Sequence, residues 1–294
     1  MLSNGISAPS GLQCSQDSIS RSASEDRSYL HYDDVVLLGT VFVQQSRMSV
    51  PKAQHYVTQS YLRGFATGAG KKARLYVYER GRTEPFQQHP ERVARQNYYY
   101  SFADENGELN HSVEEFLGKI ESSAMPVLTR IAAEDFQPTW EERGWLAGFV
   151  AMQELRVPWA REGIDEMASQ VIKHMTRFIV STPGKVEQTL ERMKADGKKV
   201  GPNLAEEIRE MVEKDQYDLD IDPRYSLGLM LQMLPEVTQR YMEMKWLIAR
   251  TTEDRPFITG DNPVVRINPK YTGNFYDHHG INHKNIEIRF LWIR

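Results

Sequence analysis

The chain has 294 residues, with 40% hydrophobic residues, 26% charged residues and a formal net charge of −4, an ordinary globular balance. The acidic balance gives no general pull toward nucleic acid or anionic membrane, although it leaves room for a local basic groove. Cys14 is the single cysteine, which rules out an internal disulfide and a cysteine-based zinc site and fits a reducing, cytoplasmic setting.

No apolar run approaches the roughly 18 residues needed to span a bilayer. Residues Met1–Arg47 are rich in Ser, Asp, Gln and Gly, show no helical or strand period between Ser3 and Ser28, and are expected to be disordered. Val35–Val43 can form a short strand. It is not an export signal, because Asp33 and Asp34 stand where such a signal carries positive charge. Met48 opens directly onto a segment that reads as a domain start, so the expectation is that Met48 is the natural initiator and that residues 1–47 come from an over-extended reading frame.

His55–Phe65 reads HYVTQSYLRGF, with Tyr56, Val57, Tyr61, Leu62 and Phe65 near helical spacing. As a helix it would turn His55 and Gln59 the same way, and Gly64 with Thr67–Gly70 would end it. Leu75–Glu79 reads as a strand before a turn at Gly81, and Arg95–Phe102 as a second extended, aromatic segment. Ser112–Glu134 is the clearest helix. Phe116, Leu117, Ile120, Ala124, Val127, Leu128 and Ile131 form one face, interrupted by Glu121. A half-buried carboxylate needs a partner, and Arg156 is the natural one.

Thr139-Trp140-Glu141-Glu142 is a capping box opening a helix to about Val157, with Pro158 as its stop. A further helix spans about Gly163–Val180. Lys185–Gln216 reads as a solvated helical excursion, and Ser226–Met244 as another helix. Lys245–Thr251 and Phe257–Thr259 read as strands, and the corner Gly260-Asp261-Asn262-Pro263 leads into an extended Val264–Ile267. The last residues, Phe290–Arg294, stop in mid-strand by pattern. The fold class is α+β: one mostly helical domain from Met48 onward, with a small sheet of Leu75–Glu79, Lys245–Thr251 and Phe257–Ile267.

Four segments carry a resemblance: HYVTQSYLRGF at His55–Phe65, VEEFLGKIES at Val113–Ser122, MQELRVPWAR at Met152–Arg161 and FITGDNPV at Phe257–Val264. In their order and spacing they resemble the bacterial and fungal domain-of-unknown-function family 4238. The resemblance supports Met48 as the start. It also implies further strand and helix beyond this chain's end, where Asn285–Phe290 fits and Leu291–Arg294 does not, so a truncation or frameshift near Phe290 is expected. It brings no reaction with it.

The polar residues set in these apolar segments are His55, Gln59, Glu121, Gln153, Arg156 and Asp261. His55, Glu121 and Asp261 together can serve one Mg²⁺ or Mn²⁺ ion, and His is also the usual general base near neutral pH. Arg156 would hold a phosphate oxygen, with Gln59, Gln153 and Asn262 as further substrate contacts. That constellation reads as a metal-assisted phosphoesterase or nuclease-like hydrolase. Each residue has a bland reading beside it: Asp261 in an Asx-turn, Glu121 and Arg156 as a buried structural ion pair, and His55 merely capped and packed.

The alternative is a non-catalytic binding or scaffold module. Tyr98–Tyr100 with Arg92, Arg95, Arg156 and Arg161 would suit single-stranded nucleic acid, which the net charge does not support, or the Trp140–Arg161 helix would face a protein. His278, His279 and His283 sit in a polar loop and are set aside, as is Gly68–Lys72, which lacks the phosphate-loop pattern. Mass spectrometry of the native protein is expected to find its N-terminus at Met48 or Ser49; a tryptic peptide from residues 29–47 would overturn that start.

Overall fold

The computed structural model describes residues 52–103, 109–133, 137–250, 257–273 and 279–291. The expected disorder of Met1–Arg47, the Val35–Val43 strand, the Met48 start, the final residues 292–294 and His278 lie outside them.

The N-terminal part is built from short ladders. Strand β1 (Ala53–His55) leads to a one-turn helix α1 (Gln59–Arg63), then β2 (Leu75–Val77), β3 (Phe86–Gln88), β4 (Arg95–Asn97), β5 (Phe102–Ala103) and β6 (Leu109–Asn110) follow. β1 pairs with β4, β2 with β3 and β5 with β6, all antiparallel. Gly81, at φ 91°, makes the expected turn between β2 and β3, in a region of backbone space that glycine enters without steric cost.

The expected helix from His55 to Phe65 is therefore split. His55 ends a strand, in register with Arg95. The helix begins only after Thr58, whose hydroxyl accepts the Tyr61 N–H at 3.4 Å. Thr58 competes with the helix for backbone hydrogen bonds, so it caps rather than continues. Ala94, at φ 52°, aims its carbonyl at the Tyr56 N–H, 2.9 Å away, and this fixes the backbone just after His55.

The rest is helical: α2 (Ser112–Ala133), α3 (Trp140–Leu155), α4 (Pro158–Ser181), α5 (Lys185–Ala195), α6 (Leu204–Glu213) and α7 (Pro223–Glu243). α3 starts with the predicted capping box, Thr139 and Glu142 exchanging side-chain bonds with each other's backbone. Pro158 does not stop a helix; it opens α4 as the first helical residue, where its missing N–H costs nothing. No helix among the described residues is long and apolar enough to cross a membrane. The fold is a mostly helical α+β arrangement whose small sheets have two antiparallel strands each.

α3 is the centre, packed on α7 on one side and α2 on the other. Small residues make this possible. A side-chain carbon built on Gly148 would lie 3.8 Å from Ile120 of α2 and 3.9 Å from Thr238 of α7, and one built on Gly144 would meet Met242. Val57, Tyr61 and Leu62 from the N-terminal segment share this core with Leu117, Ala124, Phe149, Met152, Leu234 and Val237.

The composition of the sheet departs from expectation. Lys245–Arg250 and Phe257–Gly260 form no strand, because among the described residues neither finds a partner edge. Trp246 instead donates its indole N–H to the Tyr241 carbonyl at 2.8 Å and lies beneath the Arg143 guanidinium. β7 (Val264–Ile267) pairs with β8 (Glu287–Phe290), not with Leu75–Glu79. Phe290 of β8 then stacks on Tyr61 and meets Phe149 edge-on, closing the core.

The substitution Gly148→Ala is expected to raise stability by about 1 kcal/mol, the helix-propensity difference, since the added carbon makes only ordinary contacts. Gly148→Leu should lower it by roughly 1–3 kcal/mol by overpacking two helix interfaces. Urea denaturation of the three forms measures both.

Candidate functional site

The C-terminal end of α3 meets the N-terminal segment here. Arg156 is the C-cap residue of α3, with φ −90° and ψ −10° and its N–H on the Met152 carbonyl. This sends its side chain back across the segment that follows β1. Nε donates to the Tyr56 carbonyl at 2.8 Å, and Nη1 approaches the Met152 sulfur at 3.8 Å. Nη2 is buried with no partner among the described residues. The residue is 3% exposed, yet no carboxylate of the described residues forms an ion pair with it.

Gln153 lies one turn before Arg156 on the same helix, so the two share a face. It is 0% exposed, and neither its amide nitrogen nor its amide oxygen has a partner among the described residues. Two neighbours show how unusual this is. Gln54 of β1 is as deeply buried, but its NH₂ donates to Ser101 Oγ at 2.8 Å and Glu114 Oε2 at 2.6 Å, and its oxygen accepts the Tyr100 N–H at 2.7 Å. Arg161, also buried, donates to the Tyr99 carbonyl at 2.8 Å and the Pro223 carbonyl at 2.9 Å and lies over the Tyr99 ring. Buried polar atoms are ordinarily satisfied in this way.

His55 stands beside Arg156. Its Nε2 is 3.1 Å from the Glu91 carbonyl. A carbonyl only accepts, so Nε2 carries the hydrogen and Nδ1 the lone pair. Burial pushes the His55 pKa below its ordinary value; the positive charges of Arg156 and Arg95 push the same way, against the ring's hydrogen bonds to the Pro90 and Glu91 backbone.

The Asp261 corner comes to the same region. Tyr61 donates its phenolic hydrogen to the Leu291 carbonyl at 2.6 Å and accepts from Thr259 Oγ1 at 2.9 Å, which ties the stretch before Asp261 onto α1. Burial and then the charge of Asp261 raise the Tyr56 pKa, which places Asp261 near the residue whose carbonyl holds Arg156. Asp261 is exposed, with no side-chain hydrogen bond among the described residues, so it does not make the Asx-turn considered above. The Asn262 Oδ1 is buried and unpartnered.

His55, Gln153, Arg156 and the Asp261–Asn262 corner thus gather around Tyr56–Tyr61. Gln59, the first residue of α1, is half-buried on that segment. Glu121 is not joined to them through Arg156. Its carboxylate accepts the Ser60 hydroxyl, because Arg156 is already committed to the Tyr56 carbonyl. The buried ion pair that does form is Glu154 with Arg266 of β7, to which Tyr241 also donates. Among the described residues no group of three or more His, Cys, Asp and Glu side chains is placed to hold a metal ion, so His55, Glu121 and Asp261 do not form one centre.

The single-strand platform is not assembled either. Tyr100, Arg156 and Arg161 are buried, and only Arg92, Arg95 and Tyr98 face outward. A surface cavity of about 450 Å³ lies elsewhere, at Arg143, Trp246 and Arg250; Arg143 donates to the Met244 carbonyl while its Nε is buried without a partner among the described residues, and Arg250 donates to the carbonyls of Ile131 and Ala132. His279 and His283 serve Asn268 through their Nδ1 atoms.

Sequence reasoning missed the Gln54–Ser101–Glu114 network, which His111 joins through Ser101. The signal was strand alternation at Ala53–His55, which turns Gln54 inward. Burial raises the Glu114 pKa above its ordinary 4.5, despite the opposing bond from Gln54 and the charges of His111 and Arg156. The folded state therefore holds this proton more tightly than the unfolded chain. The resulting stabilisation is complete below the ordinary glutamate range and is lost as pH rises through the raised value. Wild type should therefore gain stability relative to Glu114→Gln as pH falls from neutral toward 4.5; urea midpoints across that range measure it, and the opposite slope would refute it.

No curated protein and no solved structure matches the chain. The family whose model matches is described as "Protein of unknown function (DUF4238)", over residues 53–288. That match runs from β1 into β8 and takes in all seven helices and the whole corner around Arg156. The chain belongs to this family of unknown function (DUF4238).

Proposed function

We propose that this protein binds a small ligand carrying a phosphate or carboxylate group, with Arg156 as the residue that holds the anion. The observation that carries the reading is the Arg156 guanidinium: it is buried, one of its terminal nitrogens has no partner, and no carboxylate of the described residues pairs with it. A buried charge without a counter-charge costs several kcal/mol. A ligand anion would remove that cost, and the planar guanidinium suits the geometry of phosphate and carboxylate. His55 beside it, its Nε2–H committed to the Glu91 carbonyl, offers an acceptor at Nδ1.

A hydrolase reading keeps one supporting observation, the depressed pKa of His55 with its Nδ1 lone pair, which is what a general base needs near neutral pH. The buried, partly unpartnered Arg156 guanidinium speaks for binding itself and calls for no nucleophile. The single cysteine agrees with a reducing, cytoplasmic setting for this activity.

Thermal unfolding of the full chain with inorganic phosphate or sulfate tests the reading. A ligand that binds the native state raises the midpoint. Wild type should respond and Arg156→Met should not, the comparison being the anion-induced shift of each protein, because the variant also loses the bond to the Tyr56 carbonyl. If wild type shows no response and Arg156→Met loses about 1–3 kcal/mol from the broken Tyr56 bond, Arg156 is a structural clamp and the proposal fails.

A further inference from the structure

We infer that Gln153 is a specificity-determining residue of this site, and that the ligand is a small phosphate ester with hydroxyl groups on the carbons next to the phosphate. The inference rests on the anion-binding reading of Arg156 and adds to it the class of molecule that carries the anion.

The argument starts from the Gln153 amide. A side-chain amide offers two donors and an acceptor oxygen, and here both ends are sealed from solvent and left without a partner among the described residues. An unpaired buried amide is costly, and Gln54 shows that the same side chain in this protein is otherwise fully satisfied. What completes Gln153 must supply a donor and an acceptor together. A hydroxyl group does both.

Position narrows the class. Gln153 and Arg156 are three residues apart on one helix, which separates their Cβ atoms by about 5–6 Å. That spacing lets an anion on Arg156 and a second group on Gln153 belong to one small molecule. Phe149, one turn before Gln153, packs against Phe290, so the apolar core closes the site on that side. On the other side the segment held by Tyr61 leads to Asn262, whose buried Oδ1 is a further unpartnered acceptor and fits a second hydroxyl. The near-complete burial of Gln153 and Arg156 suits a ligand of a few carbons better than a nucleotide or a nucleic-acid strand.

Calorimetric titration of the full chain with three probes tests this: inorganic phosphate, methyl phosphate, which has an ester but no hydroxyl, and glycerol 3-phosphate, which has both. Wild type should bind glycerol 3-phosphate about ten-fold more tightly than methyl phosphate, the effect of one or two well-made hydrogen bonds. Gln153→Leu should bind methyl phosphate as wild type does and lose the ten-fold preference, while Arg156→Met should lose all three ligands. Equal binding of the two esters by wild type, a comparison that needs no variant, would overturn the role of Gln153 and leave phosphate binding at Arg156 standing. So would a Gln153→Leu protein that keeps the preference, a result that makes Gln153 the seat of an internal water. If wild type binds none of the three probes, the anion reading itself falls, and the hydroxyl inference with it.

Discussion

The bond from the Arg156 guanidinium to the Tyr56 carbonyl links the two halves of this protein. One end of it is the cap of the central helix, and the other is the turn between the first strand and the first helix, 100 residues earlier in sequence. Around that link the Tyr99 hydroxyl donates to the Arg156 carbonyl and the Tyr100 hydroxyl to the His55 carbonyl. The N-terminal ladders are too short to be stable alone. They are held because their backbone carbonyls serve as acceptors for buried side chains from the helical part.

The same link explains why a charged group remains in the core. Arg161, a turn further along, is satisfied by two backbone carbonyls and an aromatic face. Arg156 uses only part of its donor set, and Gln153 uses none of its own. Full satisfaction is the rule for buried polar groups, and Gln54, Glu154 and Arg161 obey it. Buried polar atoms without a partner among the described residues occur at Arg156, Gln153 and Asn262, and also away from them, at Arg143, Asp165 and Tyr217.

Burial and two nearby arginines lower the His55 pKa, while burial raises that of Glu114, the carboxylate that feels the charge of Arg156. Neither group answers the guanidinium at contact distance. The carboxylate that does form a buried pair, Glu154, sits between Gln153 and Arg156 in sequence but projects from another face of the helix, toward β7 and α7. Two adjacent residues of α3 thus differ: Glu154 fastens the β7–β8 hairpin to the helices, and Gln153 is buried with its amide unpartnered among the described residues.

Much of this was legible in the residues themselves. Helical periodicity located α2, α3 and α7, and the Thr139–Glu142 pattern located the start of α3, because caps and apolar stripes are local properties. Polar residues inside apolar segments singled out His55, Gln59, Glu121, Gln153, Arg156 and Asp261, and of these the structure fully buries Gln153 and Arg156. Pairing was not legible. The assignment of Glu121 to Arg156 matched charge to charge, but the fold offered the guanidinium a nearer acceptor in the Tyr56 carbonyl and Glu121 a hydroxyl in Ser60. Strand partners were missed likewise, since β7 found β8 and Lys245–Arg250 found none. Sequence determined which groups needed partners; only tertiary structure decided which partners they met, because hydrogen-bond and strand-pairing choices depend on which chain segments the packing of α3 against α2 and α7 brings within reach.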